Sequence, residues 1–122
     1  MSGEDAVREL WRLFDEGRFD AVRPLLADDF EADWPQTRER IDGPDNFIAL
    51  NAAYPGRWRC RLRHLHGLGD TVISEVEISD GAATVHAVSV FTMREGRLGH
   101  AREYFGDAGE PPYDRSRWAE RY

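Results

Sequence analysis

Residues 28–35 read Asp28-Asp29-Phe30-Glu31-Ala32-Asp33-Trp34-Pro35, and they join a helical N-terminal region to a region of long strands. Apolar Phe30, Ala32 and Trp34 alternate with the carboxylates of Glu31 and Asp33. A period of two is typical of a β-strand with one apolar and one acidic face. Because a carboxylate at the rim of an apolar pocket is a common seat of acid–base chemistry, the stretch raises the question of whether Asp33 faces a pocket.

Two helical segments are predicted before this strand. Ser2 and Asp5 resemble a capping box at the start of a helix over residues 4–16, and Gly17 is suited to end that helix. A shorter helix is predicted over residues 20–26, with Pro24 near its first turn, where a missing N–H costs little. The apolar positions of the two helices are Val7, Leu10, Trp11, Phe14, Phe19, Val22, Leu25 and Leu26.

After the strand, residues 36–42 are predicted to form a loop or a short pairing strand. A third helix is predicted to begin at residues 43–45 and to end at residues 54–56, because proline disfavours helix in the residue before it. The period then changes to two, which predicts four strands, over residues 57–66, 71–79, 82–94 and 97–105. Asp80-Gly81 and Glu95-Gly96 are suited to hairpin turns between them.

Composition indicates one ordinary globular domain over residues 1–122, with residues 107–122 as a C-terminal tail. The net charge of −7 argues against nucleic acid or an anionic membrane as a partner. There is no lysine, which excludes Schiff-base chemistry, and Cys60 is the only cysteine, which excludes an intrachain disulfide. Without a signal-peptide pattern at the start, the expected location is cytoplasmic.

The order of elements is helix, helix, short strand, helix and four long antiparallel strands. Helices on one face of an antiparallel sheet make an α+β fold. Strands that carry glycines at their ends and kinks can curl strongly, and a curled sheet closed by helices forms a cone with a pocket inside. We therefore expect a curved antiparallel sheet wrapped around helices.

This order of elements resembles the nuclear transport factor 2-like superfamily, which includes SnoaL-like polyketide cyclases and ketosteroid isomerases. The resemblance spans about residues 4–106, and two segments with the tail resemble a SnoaL-like branch that has no assigned reaction. The motifs that carry it are Leu13-Phe14-Asp15-Glu16-Gly17, Leu26-Ala27-Asp28-Asp29-Phe30, Trp34-Pro35 with Gly43, residues 91–98, and Arg102-Glu103-Tyr104-Phe105. The resemblance implies a cone-shaped fold, a small-molecule pocket and a homodimer formed through the outer sheet face.

The same matching argues against the ketosteroid isomerase reaction. The tyrosine donor of those enzymes falls on Leu10, their base on Trp34 and, counting back from Gly96, their oxyanion acid on Val88. All three residues are apolar, whereas that mechanism needs a base and hydrogen-bond donors. The matching further implies that the pocket is lined by Leu10, Trp34, Tyr54, His86, Val88, Val90, Thr92, Ala101, Glu103 and Phe105.

Among the implied pocket residues, Glu103 and His86 are the candidate catalytic groups. If they lie on one face of adjacent strands, they would form an acid–base pair. The alternatives are an ion pair between Glu103 and an arginine, and a histidine that is only hydrogen-bonded at the rim.

Two other polar clusters have a structural explanation that is more common than a functional one. His64 and His66 have a spacing compatible with metal ligation, but no third ligand is evident, so we expect no metal. The stripe Arg57, Arg59, Arg61 and Arg63 could bind an anion, although Glu75 and Glu77 offer cross-strand partners.

The predicted function is the binding of a small, mostly apolar organic molecule in the cone. Chemistry, where it occurs, would be cofactor-free proton transfer of an isomerase, cyclase or dehydratase type. The alternative is a non-catalytic ligand-binding or dimeric protein-interaction module.

Overall fold

The computed structural model describes residues 1–122. Its helices are α1 (Gly3–Asp15), a 3-10 helix (Phe19–Leu25) and α2 (Pro44–Ala53). Its strands are β1 (Leu26–Trp34), β2 (Glu39–Asp42), β3 (Arg59–Leu68), β4 (Thr71–Ser79), β5 (Thr84–Arg94) and β6 (Arg97–Asp107). None of the helices is long and apolar enough to cross a membrane.

The predicted helices are confirmed, with one refinement. Ser2 caps α1, since its Oγ accepts a hydrogen bond from the backbone N–H of Asp5 at 3.1 Å. Gly17 follows the helix with φ 73°, a conformation that glycine adopts without strain. The second segment is a 3-10 helix with Pro24 inside it, because proline lacks the N–H that a continuing α-helix would use.

The six strands form one curved, unclosed sheet in the order β2-β1-β6-β5-β4-β3. The four long strands pair antiparallel in chain order, as expected, and β2 is the short pairing strand that was one of two options for residues 36–42. The β1–β6 pairing is parallel, which sequence periodicity did not indicate. This pairing brings Trp34 beside the inward-facing residues of β6.

The core fills the concave side of the sheet, between the sheet and the helices. Phe30, Phe47 and Phe91 are its largest fully buried side chains, and the Phe30 and Phe47 rings lie 4.9 Å apart between centroids. Leu10 and Ala101 are completely buried in the same cluster. These two residues were expected to line the pocket, but they belong to the packed core instead.

The inward face predicted for β5 is wrong by one residue. Thr92 pairs with His100 whereas Met93 pairs with Leu98, so Gly99 is an extra residue in β6. This bulge pairs Glu103 with Ser89, whereas a regular hairpin counted back from Gly96 would pair it with Val88. The inward residues of β5 are Val85, Ala87, Ser89 and Phe91, and the outward residues are His86, Val88, Val90 and Thr92.

The bulge also explains why residue 99 is glycine. A Cβ at this position would meet the Arg94 side chain at 2.9 Å. Arg94 uses that space to donate a hydrogen bond from Nη2 to the Gly99 carbonyl at 2.9 Å. Glycine therefore permits the close approach that holds the kink in β6.

Three of the four arginines in the stripe at the start of β3, Arg57, Arg59 and Arg63, make structural contacts. Arg59 binds both carboxylate oxygens of Asp15 in α1, at 2.9 and 3.0 Å, and Arg57 donates to the backbone carbonyl of the same residue. The Arg59 guanidinium and the Cys60 N–H hold the pKa of Asp15 below its usual value. Arg63 pairs across the sheet with Glu77 at 3.6 Å, which confirms one of the expected cross-strand partners.

Candidate functional site

A cavity of about 510 Å³ opens between the concave face of the sheet and the helices. Eight of its 21 lining residues are aromatic. The rings that line it include Phe14, Phe19, Trp34, Phe47, Trp58 and Phe105. Trp34 and Phe105 pack edge to face with centroids 5.2 Å apart, and they line the space without filling it.

Glu103 is the ionisable group in the buried part of this wall. The residue is 3% exposed and lies on β6 between buried Ala101 and half-buried Phe105. Trp34 Nε1–H donates to Glu103 Oε1 at 3.1 Å, and Ser89 Oγ–H donates to Glu103 Oε2 at 2.6 Å. The predicted ion pair with an arginine is not formed, since both partners of the carboxyl group are neutral.

The position of Glu103 raises its pKa. Burial disfavours the charged carboxylate, and this effect outweighs the opposing hydrogen bonds from Ser89 and Trp34. A buried carboxyl group without a basic partner is favoured in its neutral form, in which it can donate a proton. The chemistry available at this point of the wall is therefore that of a general acid.

Ser89, one of the two polar partners of Glu103, belongs to a row of buried polar side chains across the sheet. Ser74 of β4 pairs with Ser89 of β5, and Ser89 pairs with Glu103 of β6. Both serines are fully buried, and Ser74 Oγ accepts a hydrogen bond from Trp11 Nε1 at 3.0 Å. No buried side-chain nitrogen or oxygen lacks a partner, so the hydrogen-bonding groups of the row are all satisfied.

The predicted site residues divide into three groups. Trp34, Tyr54, Glu103 and Phe105 line the cavity, whereas Leu10 and Ala101 are core. Val88, Val90 and Thr92 lie on the other face of the sheet, as explained by the bulge. Sequence reasoning missed Ser89, although Gly99 in a strand was a signal that the register could shift.

His86 does not share a face with Glu103. It is exposed on the convex side of the sheet and pairs with Gly106, while the Glu103 carboxyl points into the concave side. The expected acid–base pair across adjacent strands is therefore absent from this arrangement. His86 is therefore not positioned to exchange a proton with Glu103.

Asp33 points away from the cavity, which answers the question raised by the opening stretch. Its Oδ1 accepts from Arg40 Nε at 2.7 Å, and its Oδ2 lies 3.0 Å from His100 Nε2. Hydrogen bonds from Arg40 and His100 lower the pKa of Asp33. Glu31, Asp33 and His100 offer possible metal-ligand atoms that lie within 4.8 Å of one another. The carboxylate of Asp33 is, however, already paired with Arg40.

Neither the histidine pair of β3 nor the cysteine adds chemistry to the cavity. The His64 and His66 rings stack with centroids 6.4 Å apart, and His64 lies 3.7 Å from Glu75. Cys60 lines the cavity, but burial raises the pKa of its thiol to about 12. A thiol with that pKa is a poor nucleophile near neutral pH.

Comparison with known proteins agrees with the observed fold. The profile of the SnoaL-like domain family matches residues 7–100. The chain belongs to the SnoaL-like domain family. No significantly similar sequence was found among curated proteins.

Solved structures show the same nuclear transport factor 2-like fold as this SnoaL-like domain. A nuclear transport factor 2-like protein of unknown function from Burkholderia xenovorans is 34% identical, with a TM-score of 0.82 over 97% of this chain and 93% of that one. A Kribbella flavida protein provisionally assigned as a ketosteroid isomerase is 25% identical, with a TM-score of 0.87 over 98% and 88%. An epoxide hydrolase from M. tuberculosis shares the fold at 24% identity, with a TM-score of 0.69 over 84% and 81%.

Proposed function

We propose that this SnoaL-like domain binds a small, mostly apolar organic molecule in its cone, and that Glu103 transfers a proton to that molecule without a cofactor. The observation that carries the proposal is the buried Glu103 carboxyl group in the wall of an aromatic cavity, bonded only to Ser89 and Trp34. A concave, largely apolar site with a few convergent polar groups is the usual form of a small-molecule site.

The proposed reaction type starts from the neutral form of Glu103, which burial favours. A neutral carboxyl group can only donate a proton at the outset. The first step therefore transfers this proton from Glu103 to an oxygen or carbon of the ligand. Where the proton goes to a carbon of a double bond, the resulting carboxylate accepts a proton from the carbon next to that double bond, which completes a double-bond isomerisation. Where the proton goes to a hydroxyl oxygen, the C–O bond breaks and water leaves, and the carboxylate accepts a proton from the neighbouring carbon, which completes an elimination. General acid–base catalysis of this kind typically contributes about 10²–10⁴-fold in rate.

The relatives support this class of chemistry. The Kribbella flavida protein, which is 25% identical, is provisionally assigned as a ketosteroid isomerase. Ketosteroid isomerases work by acid–base proton transfer. The expected loss of that mechanism at Leu10, Trp34 and Val88 remains a prediction. The acid proposed here occupies a different position from all three.

Binding can be tested with prodan, a neutral naphthalene dye whose emission shifts to the blue in apolar surroundings. Wild-type protein is expected to bind prodan saturably with a blue shift. Ala52 is an exposed residue in the cavity wall, so a tryptophan at this position would occupy space that the dye needs. The variant Ala52→Trp is therefore expected to bind prodan at least ten-fold more weakly.

The matched control is Ala53→Trp, which places the same side chain one position further along α2, outside the cavity wall. It is expected to bind prodan like the wild type. Equal affinity of both variants, or no saturable binding to the wild type, would contradict a ligand site in this cavity.

We also propose that a second copy of the chain covers the convex face of the sheet. Ile73, Val88 and Tyr104 are 41%, 40% and 45% exposed, although each is a large apolar side chain in a strand. Val88 and Tyr104 are direct partners across β5 and β6, so they form a continuous patch. Exposed apolar patches of this kind are typical of protein interfaces.

The dimer predicts a specific effect of Val88→Asp. This variant is expected to sediment as a monomer with an unchanged circular dichroism spectrum, because the side chain faces away from the core. Leu68→Asp serves as the control, since Leu68 is 84% exposed at the end of β3, outside the patch. A wild-type monomer, or a Val88→Asp dimer, would refute the interface.

A further inference from the structure

We propose that the preferred ligand of the cavity is an organic cation, with an apolar body inside the cone and a positively charged nitrogen at the mouth. This inference rests on the proposed function and adds the charge of the ligand. It is carried by the distribution of charged groups around the cavity.

Acidic groups outnumber basic groups in the cavity wall. Glu39, Glu103 and Asp107 contribute carboxyl groups, and Arg57 is the only basic side chain. Glu39 and Asp107 are exposed and take part in no ion pair or side-chain hydrogen bond. Two carboxylates at the mouth are therefore free to interact with a ligand.

The guanidinium group of Arg57 is already engaged. Its Nη1 donates to the carbonyl of Trp58 at 2.7 Å, and its Nη2 donates to the carbonyl of Asp15 at 2.5 Å. The carboxylate of Asp15 lies close enough to contribute to a favourable interaction with it. Arg57 is thus held in place in the wall with its positive charge, and the two free carboxylates against this one guanidinium leave a net negative charge at the mouth.

The two free carboxylates lie beside aromatic rings. Glu39 of β2 pairs directly with Trp34 of β1. On β6, Asp107 follows Phe105 by two residues and therefore points to the same side of the sheet. Because the rings of Trp34 and Phe105 pack against each other, the carboxylates flank one aromatic pair.

Aromatic rings combined with carboxylates favour a cation with a large apolar surface. A cation over a tryptophan or tyrosine ring gains about 0.5–1 kcal/mol when exposed and about 2 kcal/mol when desolvated. Tyr54 and Trp58, which also line the cavity, form a second aromatic pair, with centroids 6.1 Å apart. An ammonium group between these pairs meets π faces and two carboxylates.

Strand β6 carries both Asp107 at the mouth and the buried Glu103. Glu103, Phe105 and Asp107 point to one side of β6, and four residues of strand span about 13 Å. A bicyclic aromatic body can fill that distance. The nitrogen then lies beside Asp107 while the far end of the body approaches the Glu103 carboxyl group.

The inference is tested with three naphthalene ligands of equal shape and different charge at pH 7. They are 1-naphthylmethylamine, which is cationic, 1-naphthalenemethanol, which is neutral, and 1-naphthoate, which is anionic. By isothermal titration calorimetry the amine is expected to bind at least ten-fold more tightly than the alcohol, and the naphthoate more weakly than either.

The double variant Glu39→Gln/Asp107→Asn is expected to bind the amine no more tightly than the alcohol, with the affinity for the alcohol unchanged. Asp70→Asn/Glu95→Gln is the control, because it changes the net charge equally at turns on the opposite end of the strands. Its preference for the amine is expected to equal that of the wild type.

The outcomes separate the two proposals. Equal or tighter binding of the alcohol or the naphthoate by the wild type would overturn the inference and leave the ligand site intact. Retention of the amine preference by Glu39→Gln/Asp107→Asn would also overturn it. If none of the three ligands binds, the cavity is not a ligand site of this kind, and the proposed function fails with the inference.

Discussion

Glu103→Gln is expected to unfold at a higher temperature than the wild type at pH 8, and at nearly the same temperature at pH 4. Glutamine preserves both hydrogen bonds, since its amide oxygen can accept from Trp34 and its amide nitrogen can donate to Ser89. What it removes is the titration of a buried acid. We expect a gain in the free energy of unfolding of about 1–3 kcal/mol at pH 8, typical of an uncompensated buried polar group.

The sign follows from proton linkage. Burial raises the folded-state pKa of Glu103 above that of an exposed glutamate. Below the unfolded-state pKa the carboxyl group is neutral in both states, and its contribution to stability is complete. As the pH rises toward the folded-state pKa, the unfolded chain binds fewer protons than the folded chain, so the wild type loses stability.

The measurement is thermal or urea unfolding between pH 4 and pH 9. Glu95→Gln is a suitable control, because Glu95 lies in the exposed turn between β5 and β6. The difference between Glu103→Gln and the wild type should increase above about pH 4.5, whereas the control should follow the wild type. Parallel pH profiles for all three proteins would show that Glu103 titrates as an ordinary carboxylate, and proton donation from it at neutral pH would be refuted.

Phe30→Ala is expected to lower the free energy of unfolding by about 3–5 kcal/mol, because it leaves a large cavity in the core. Phe30 is completely buried, and its ring contacts that of Phe47 in α2. Phe47 also forms part of the cavity wall, so loosening this contact should weaken prodan binding as well.

Urea unfolding followed by tryptophan fluorescence measures the loss of stability. The matched control is Tyr113→Ala, which truncates an aromatic residue that is 65% exposed in the tail. Its effect should remain within about 0.5 kcal/mol. If Phe30→Ala costs no more than this control, the strand that contains residue 30 does not hold α2 against the sheet as described.

The order of elements could be predicted because it depends on local interactions. Ser2 and Gly17 bracket α1 through capping and backbone preference, and Gly81 and Gly96 have positive φ angles of 95° and 80° in the predicted turns. Alternation of apolar residues correctly identified the four long strands, since a half-buried strand must alternate.

Which face of β5 lines the cavity depended on a single extra residue in a neighbouring strand. A bulge shifts the pairing of two strands by one residue beyond it, which moves each residue of the partner strand to the other face. Counting from Gly96 without the bulge therefore placed Val88 and His86 on the inward face, where the structure has Ser89. The glycine at position 99 was consistent with a bulge, but glycine alone does not determine where a ladder shifts.

The fold relates this domain to proteins with several assigned activities. A provisionally assigned ketosteroid isomerase and an epoxide hydrolase share the curved sheet, so the cone itself does not select a reaction. In this chain, the features that bear on function are the Glu103, Ser89 and Trp34 arrangement inside and the carboxylates of Glu39 and Asp107 at the mouth.

The sequence alone determined the α+β class, the helical segments, the long strands, and the aromatic side chain of Trp34 near the end of residues 28–35. These properties follow from periodicity, capping and turn preferences, which act over a few residues. Only the tertiary structure decided the partners of Glu103. The parallel β1–β6 pairing places Trp34 beside it, and the bulge at Gly99 places Ser89 opposite it. Both contacts join residues far apart in the chain, and their register depends on how whole strands pack.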